Sequence, residues 1–191
     1  MKFTMLGMNN PKVYFLVWLA AVLIALALAM VSPNDSRVMG QLPALNAQTL
    51  TREPIAVPEG LPSDRTLALV TFRAEHKAQA ESWIQGLDLE NDASIAWVRM
   101  PVLNDPGTLI GREAVETRLL QSYPAATERA KLVPVFTDRA DFVRSANLNG
   151  IAQSYVLIVN RKGDVLARVE GKFDPDKAQI LRETLKASDP K

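Results

Sequence analysis

The chain has 191 residues, 48% of them hydrophobic and 23% charged, with 22 basic against 21 acidic side chains. Those proportions suit one globular domain with an apolar appendage, and a near-neutral balance without a polybasic run argues against nucleic-acid binding by phosphate neutralisation. There is no cysteine, which excludes thiol–disulfide oxidoreductase and thiol peroxidase chemistry, disulfides, iron–sulfur ligation and cysteine-based zinc sites.

The appendage is Val13–Val31, VYFLVWLAAVLIALALAMV, which carries no charge. As a helix rising about 1.5 Å per residue it spans roughly 28 Å, against a hydrocarbon core of ~30 Å, so it is expected to cross a bilayer. Tyr14 and Trp18 lie toward its N-terminal end, where amphipathic rings favour the interface; Pro33 and Asn34 stop it. Lys2 and Lys12 precede the span and no acidic residue does. The positive-inside bias therefore predicts residues 1–12 in the cytoplasm, a single pass through a bacterial inner membrane, and the rest in the periplasm. A mitochondrial targeting peptide fits less well, because the first dozen residues contain no Arg and form no amphipathic basic helix. A cleaved signal peptide is the alternative, since Ala27-Leu28-Ala29 satisfies an A-x-A rule. Both readings place the following domain outside the cytoplasm, with 20 basic and 21 acidic residues.

Residues 32–46 are rich in turn formers and read as a linker, with the domain over 47–187 and a tail over 188–191. In LTREPIAVPEGLPSD, Ile55 and Val57 alternate between breakers and predict one short edge strand. TLALVTF (66–72) is an apolar run suited to a buried strand. A helix is expected over Glu75–Leu87, with Ala80, Trp83, Ile84 and Leu87 on its apolar stripe and Glu75, Lys77, Glu81 and Gln85 on the other side. SIAWVRM (94–100) predicts a second strand ended by Pro101, and a second helix runs from about Thr108 to Ser122, stopped by Pro124. KLVPVFTD (131–138) reads as a strand that Pro134 demotes to an edge or bulge. A short helix follows in RADFVRSAN. SYVLIV (154–159) and VLARVEG (165–171) then predict a hairpin with Gly163 in its turn, and a last helix spans Pro175 to about Ala187 behind Asp174. Strands alternating with helices and closing on a hairpin describe an α/β domain with a mixed sheet flanked by helices.

The order and spacing of three stretches resemble a thioredoxin-like domain of the membrane-anchored, extracytoplasmic kind. These are MGQLPALNAQTLTREPIAVPEGL (a Gly-x-x-Pro and a short hairpin), LALVTFRAEHKAQAESW (the strand and active-site helix) and GIAQSYVLIVNRKGDVLARVEG (the closing hairpin). The resemblance places Lys77-Ala78-Gln79-Ala80 where the Cys-x-x-Cys would stand, and Ser154 where the family keeps a cis-proline. Cis bonds are essentially a proline phenomenon, so that loop is expected to be trans. AESW and YVLIVNRKGDVLARVEG are also similar to the mitochondrial ATP synthase assembly factor family, which implies a chaperone for a membrane complex rather than an enzyme.

The candidate binding surface is the former active-site face: Glu75, His76 and Lys77 at the helix start, with Gln153 and Ser154 opposite. His76, the one histidine, is expected at the solvated surface, and Lys77 is expected to reach water along its apolar stem rather than act as a nucleophile. Asn104 and Asp105 follow a strand end, but NDPG is also a good turn. Met100, Trp83 and Trp97 are expected in the core. One histidine gives no typical His-rich metal site, and no Gly-rich phosphate loop or Ser-centred elbow occurs, so no cofactor or metal is implied. The expected role is redox-inactive protein binding as an accessory or assembly factor for an inner-membrane complex, with membrane proteins as partners. The alternatives are a small-ligand binder or non-thiol enzyme using His76, Lys77 or Asp105, and a structural module that stabilises a neighbouring subunit.

Overall fold

The computed structural model describes residues 38–187. The apolar span read over 13–31 lies outside them; among the described residues no helix is long and apolar enough to cross a membrane. The strands are β1 (Gly40–Gln41), β2 (Leu45–Gln48), β3 (Pro54–Val57), β4 (Thr66–Thr71), β5 (Trp97–Leu103), β6 (Val135–Phe136), β7 (Tyr155–Val159) and β8 (Asp164–Glu170). The helices are α1 (Lys77–Gly86), entered through a 3-10 turn at Ala74–His76, then α2 (Leu109–Ser122), α3 (Ala126–Ala130), α4 (Arg139–Ser145) and α5 (Pro175–Lys186).

Six strands form one mixed sheet in the order β1-β8-β7-β4-β5-β6, and β2 and β3 form a separate hairpin. β4 runs parallel to β5 and antiparallel to β7, and β8 folds back on β7. Because successive strand side chains point to opposite faces, β4 feeds two cores. Leu67 and Leu69 pack with Ala80, Trp83 and Ile84 of α1 and Leu181 of α5. Ala68 and Val70 pack on the other face with Phe142 of α4 and Val57 of the hairpin. Burial on both faces explains why this strand reads as a continuous apolar run rather than an alternation.

Local signals place the elements. Asp138 caps α4, accepting from the Ala140 and Asp141 amides, and Asp174 caps α5, accepting from Asp176 and Lys177, with Pro175 at the first helical position. Gly163 sits at φ +91 in the β7–β8 turn, where the Asn160 side chain accepts from the Lys162 and Asp164 amides.

Three expectations need adjusting. The segment read as a linker over 32–46 contributes strand residues from Gly40 onward, because Gly40 and Gln41 pair with Val165 and Asp164. The single strand expected around Ile55 is one arm of the β2–β3 hairpin. Pro101 does not end β5, which continues to Leu103. Arg99 and Leu103 bond outward toward the 131–137 segment, so by the two-residue alternation the amide that Pro101 lacks would face that same outer side. There the neighbour is the two-residue edge strand after Pro134.

Candidate functional site

β4 delivers the chain to the 3-10 turn at Ala74–His76, and its pairing of Val70 with Tyr155 sets the 152–154 loop beside that turn. His76, expected at the surface, is only 3% exposed. Its Nδ1 accepts the Phe72 amide at 3.3 Å and its ring bonds the Ala152 backbone. With Nδ1 occupied as acceptor, the tautomer assigned from these partners carries its proton on Nε2. The imidazole thus ties the end of β4 to the entry of β7. Burial lowers its pKa below the ordinary 6.5, outweighing the opposing effect of the Ala152 bond.

Ser154 is held in a related way. Gln79, third residue of the Lys77–Ala80 stretch, turns its Oε1 to Ser154 and accepts both the Ser154 amide at 2.8 Å and its hydroxyl at 2.9 Å. The Ser154 carbonyl accepts the Gly171 amide at 2.9 Å, and the Gly171 carbonyl accepts Trp83 Nε1 at 2.8 Å. One chain of bonds therefore runs from α1 through the loop to the end of β8 and back to α1. Among the described residues the only cis peptide is Val57–Pro58, so the bond before Ser154 is trans.

Lys77 is not held out to water. Its Nζ donates to the Ser122 carbonyl at 2.7 Å, on the last residue of α2, and lies 4.3 Å from the Tyr123 ring centroid. A cation at a helix C-terminus and over an aromatic face is favourable on both counts. The same ring lies 5.4 Å from the guanidinium of Arg99. Arg99 is buried on β5 and pairs with Glu81 of α1 at 2.6 and 3.3 Å and with Glu128 of α3 at 3.7 Å. Glu81, read on the outer side of its helix, is thus an inward partner. The charged residue inside the apolar WVRM run was the available signal for this ion pair, since buried charges need partners.

Of the five predicted residues, Glu75 and Gln153 are exposed, Lys77 is half-buried, and His76 and Ser154 are buried. Asp105 serves the turn: it accepts the Gly107 amide and pairs with Arg112, and the Arg112 hydrogen bond holds its pKa at about 2. Trp83, Trp97 and Met100 are in the core as expected, with Trp97 Nε1 donating to the Leu89 carbonyl at 2.8 Å. Among the described residues no group of three or more His, Asp or Glu side chains could hold a metal ion.

The buried imidazole predicts a pH dependence of stability. The unfolded chain takes up a proton near 6.5 while the folded one resists it, so below that pH the unfolded state binds more protons. The contribution of His76 is fully present above the unfolded value and is lost as pH falls through the folded one. Urea midpoints measured from pH 7.5 to 5 should decline for the wild type, and His76→Gln should flatten that decline. An equal slope in both proteins would remove the assignment.

No protein-family model and no curated protein matches the sequence. Solved structures do share the fold. BsSco, a member of the Sco family of cytochrome c oxidase assembly proteins, matches with a TM-score of 0.51 at 15% identity, over 76% of this chain and 91% of its own. Two proteins of Aquifex aeolicus VF5, candidates for electron transfer and electron transport, match at TM-scores of 0.54 and 0.55 with 11% and 9% identity. Each match covers 78% of this chain, and 96% and 98% of the respective partner. At such identities the likeness is one of fold. The domain is thioredoxin-like in fold and carries no cysteine.

Proposed function

We propose that this is a single-pass inner-membrane protein whose periplasmic, redox-inactive domain works by binding other proteins, as an accessory or assembly factor for a membrane complex. The observation that supports this best is the bond set at the helix start. Gln79 and Ser154 satisfy each other, and His76 is bound to the Phe72 and Ala152 backbone, so these three polar side chains are committed to joining the helix start to the 152–154 loop. What stays open to a partner is surface, chiefly Glu75 and Gln153. The apolar span over 13–31 would keep the domain near membrane clients and raise their effective concentration. The same fold occurs in BsSco, whose family is one of assembly proteins, so the frame is compatible with such a role.

A photo-crosslinking residue placed at 75 or 153 of the full-length protein, followed by isolation from membranes in mild detergent and mass spectrometry, is expected to return one membrane complex reproducibly. Glu75→Lys with Gln153→Glu should lower its recovery about tenfold, as mismatched charge at a contact does. Lys77 is left alone because it is fixed to Ser122 and Tyr123. Undiminished recovery of the same complex by the charge-altered variant overturns the reading.

A further inference from the structure

α2 has no fully buried residue, and it stands away from the carboxyl ends of β4 and β5 over a cavity of about 250 Å³. The apolar part of the wall comes from Phe72, Pro101, Leu103, Val115 and Leu119. Four cationic side chains share the lining, Arg73, Lys77, Arg118 and Arg139, and no carboxylate does. Elsewhere in the domain Arg99, Arg112, Arg144 and Arg161 have acidic partners. Among the described residues no Asp or Glu lies within ion-pair distance of any of the four at the cavity.

The nearby acids are otherwise engaged or turned elsewhere. Asp138, next in sequence to Arg139, caps α4. Glu75 is exposed and not part of the wall. Lys77 is held by the Ser122 carbonyl, and Arg139 commits only its Nε, to the Val102 carbonyl at 3.1 Å. Bringing four like charges around one apolar hollow is unfavourable without a counter-charge. Apolar pockets with a few convergent polar groups, outside the carboxyl ends of parallel strands, are where open α/β sheets bind ligands.

We infer that this cavity binds a small organic monoanion, an aromatic or short aliphatic body bearing one carboxylate. The apolar wall receives the body. The guanidinium groups of Arg73, Arg118 and Arg139 receive the carboxylate, whose two oxygens suit their planar forks. A cavity of about 150 Å³ holds benzene, so this one has room for a ring and its carboxylate. Glu75 and Gln153 do not line it, so the site stands or falls separately from the protein-binding reading.

The test uses the full-length protein in mild detergent and fluorine NMR of 4-(trifluoromethyl)benzoate, with 4-(trifluoromethyl)benzyl alcohol as the neutral control. Saturable line broadening of the carboxylate is expected at concentrations where the alcohol is unaffected. Arg73→Gln combined with Arg118→Gln, both at exposed positions, should weaken it about tenfold or more. Arg161→Gln, whose partner Asp64 lies outside the cavity, should leave it unchanged. Equal broadening of acid and alcohol would mean apolar partition only. Unchanged binding by the double variant, or equal weakening by Arg161→Gln, would likewise overturn the assignment.

Discussion

Truncating Trp83 to alanine is expected to lower the unfolding free energy by about 3–5 kcal/mol, the range for removing a large buried aromatic side chain. Trp83 is fully buried, lies under the sheet with Leu67 and Leu69, and meets the Phe173 ring edge-on at 5.2 Å between centroids. Gly86 matters to that contact, because a Cβ there would run into the Phe173 ring. Trp83 also closes the bond chain through Gly171. Trp83→Phe separates the two contributions: it keeps much of the apolar area and orphans the Gly171 carbonyl, at a cost of about 1–3 kcal/mol. Pulse proteolysis in urea measures both without relying on the fluorophore removed. If alanine and phenylalanine cost the same, packing is not what Trp83 supplies, and the account given for α1 fails.

Glu81→Ala is expected to cost about 3 kcal/mol, at the lower edge of the range for breaking a buried ion pair. The reason is asymmetric. The Arg99 side chain is 4% exposed, whereas that of Glu81 is 30% exposed, so removing the carboxylate strands the charge that water cannot reach. Glu128 at 3.7 Å remains and offsets part of the loss. Arg99→Met tests the same pair from the other side. It leaves two partly hydrated carboxylates and an apolar side chain in an apolar place, so it should cost less than Glu81→Ala. The double variant should be more stable than Glu81→Ala alone, a sign that a pairwise sum would not give. Urea titration followed by tryptophan fluorescence reads all three. A change below about 0.5 kcal/mol for Glu81→Ala would place the pair among ordinary surface bridges.

The two variants also mark what the sequence could and could not convey. The stripe Ala80, Trp83, Ile84 and Leu87 was legible because a helix writes its buried face into its own spacing, and all four are buried. The β7–β8 hairpin and the last helix were legible from turn and cap residues that act within a few positions. The site was less so. Glu81 and Lys77 were assigned outward by the same spacing and His76 was expected at the surface, yet each finds its partner far along the chain: Arg99, Ser122 and Ala152. Arg99 and Ala152 arrive because β5 and β7 flank β4, and Ser122 arrives on the helix after β5, facts of topology that no local period carries. Gln79 meets Ser154 across 75 positions for the same reason. Residue identity alone said that there are no thiols. Which side chains meet at the helix start needed the sheet order.

Both borders of the six-stranded sheet are only two residues long, β1 at one and β6 at the other. A bordering strand of ordinary length exposes a row of unpaired amides and carbonyls, which is how sheets recruit an extra strand from another chain. At the β6 border the row is too brief to template one, and prolines at 101 and 134 interrupt it further. That brevity guards the β6 border against sheet-to-sheet self-association. It also limits recognition there: at the β6 border a partner must read side chains, because there is little free backbone to read.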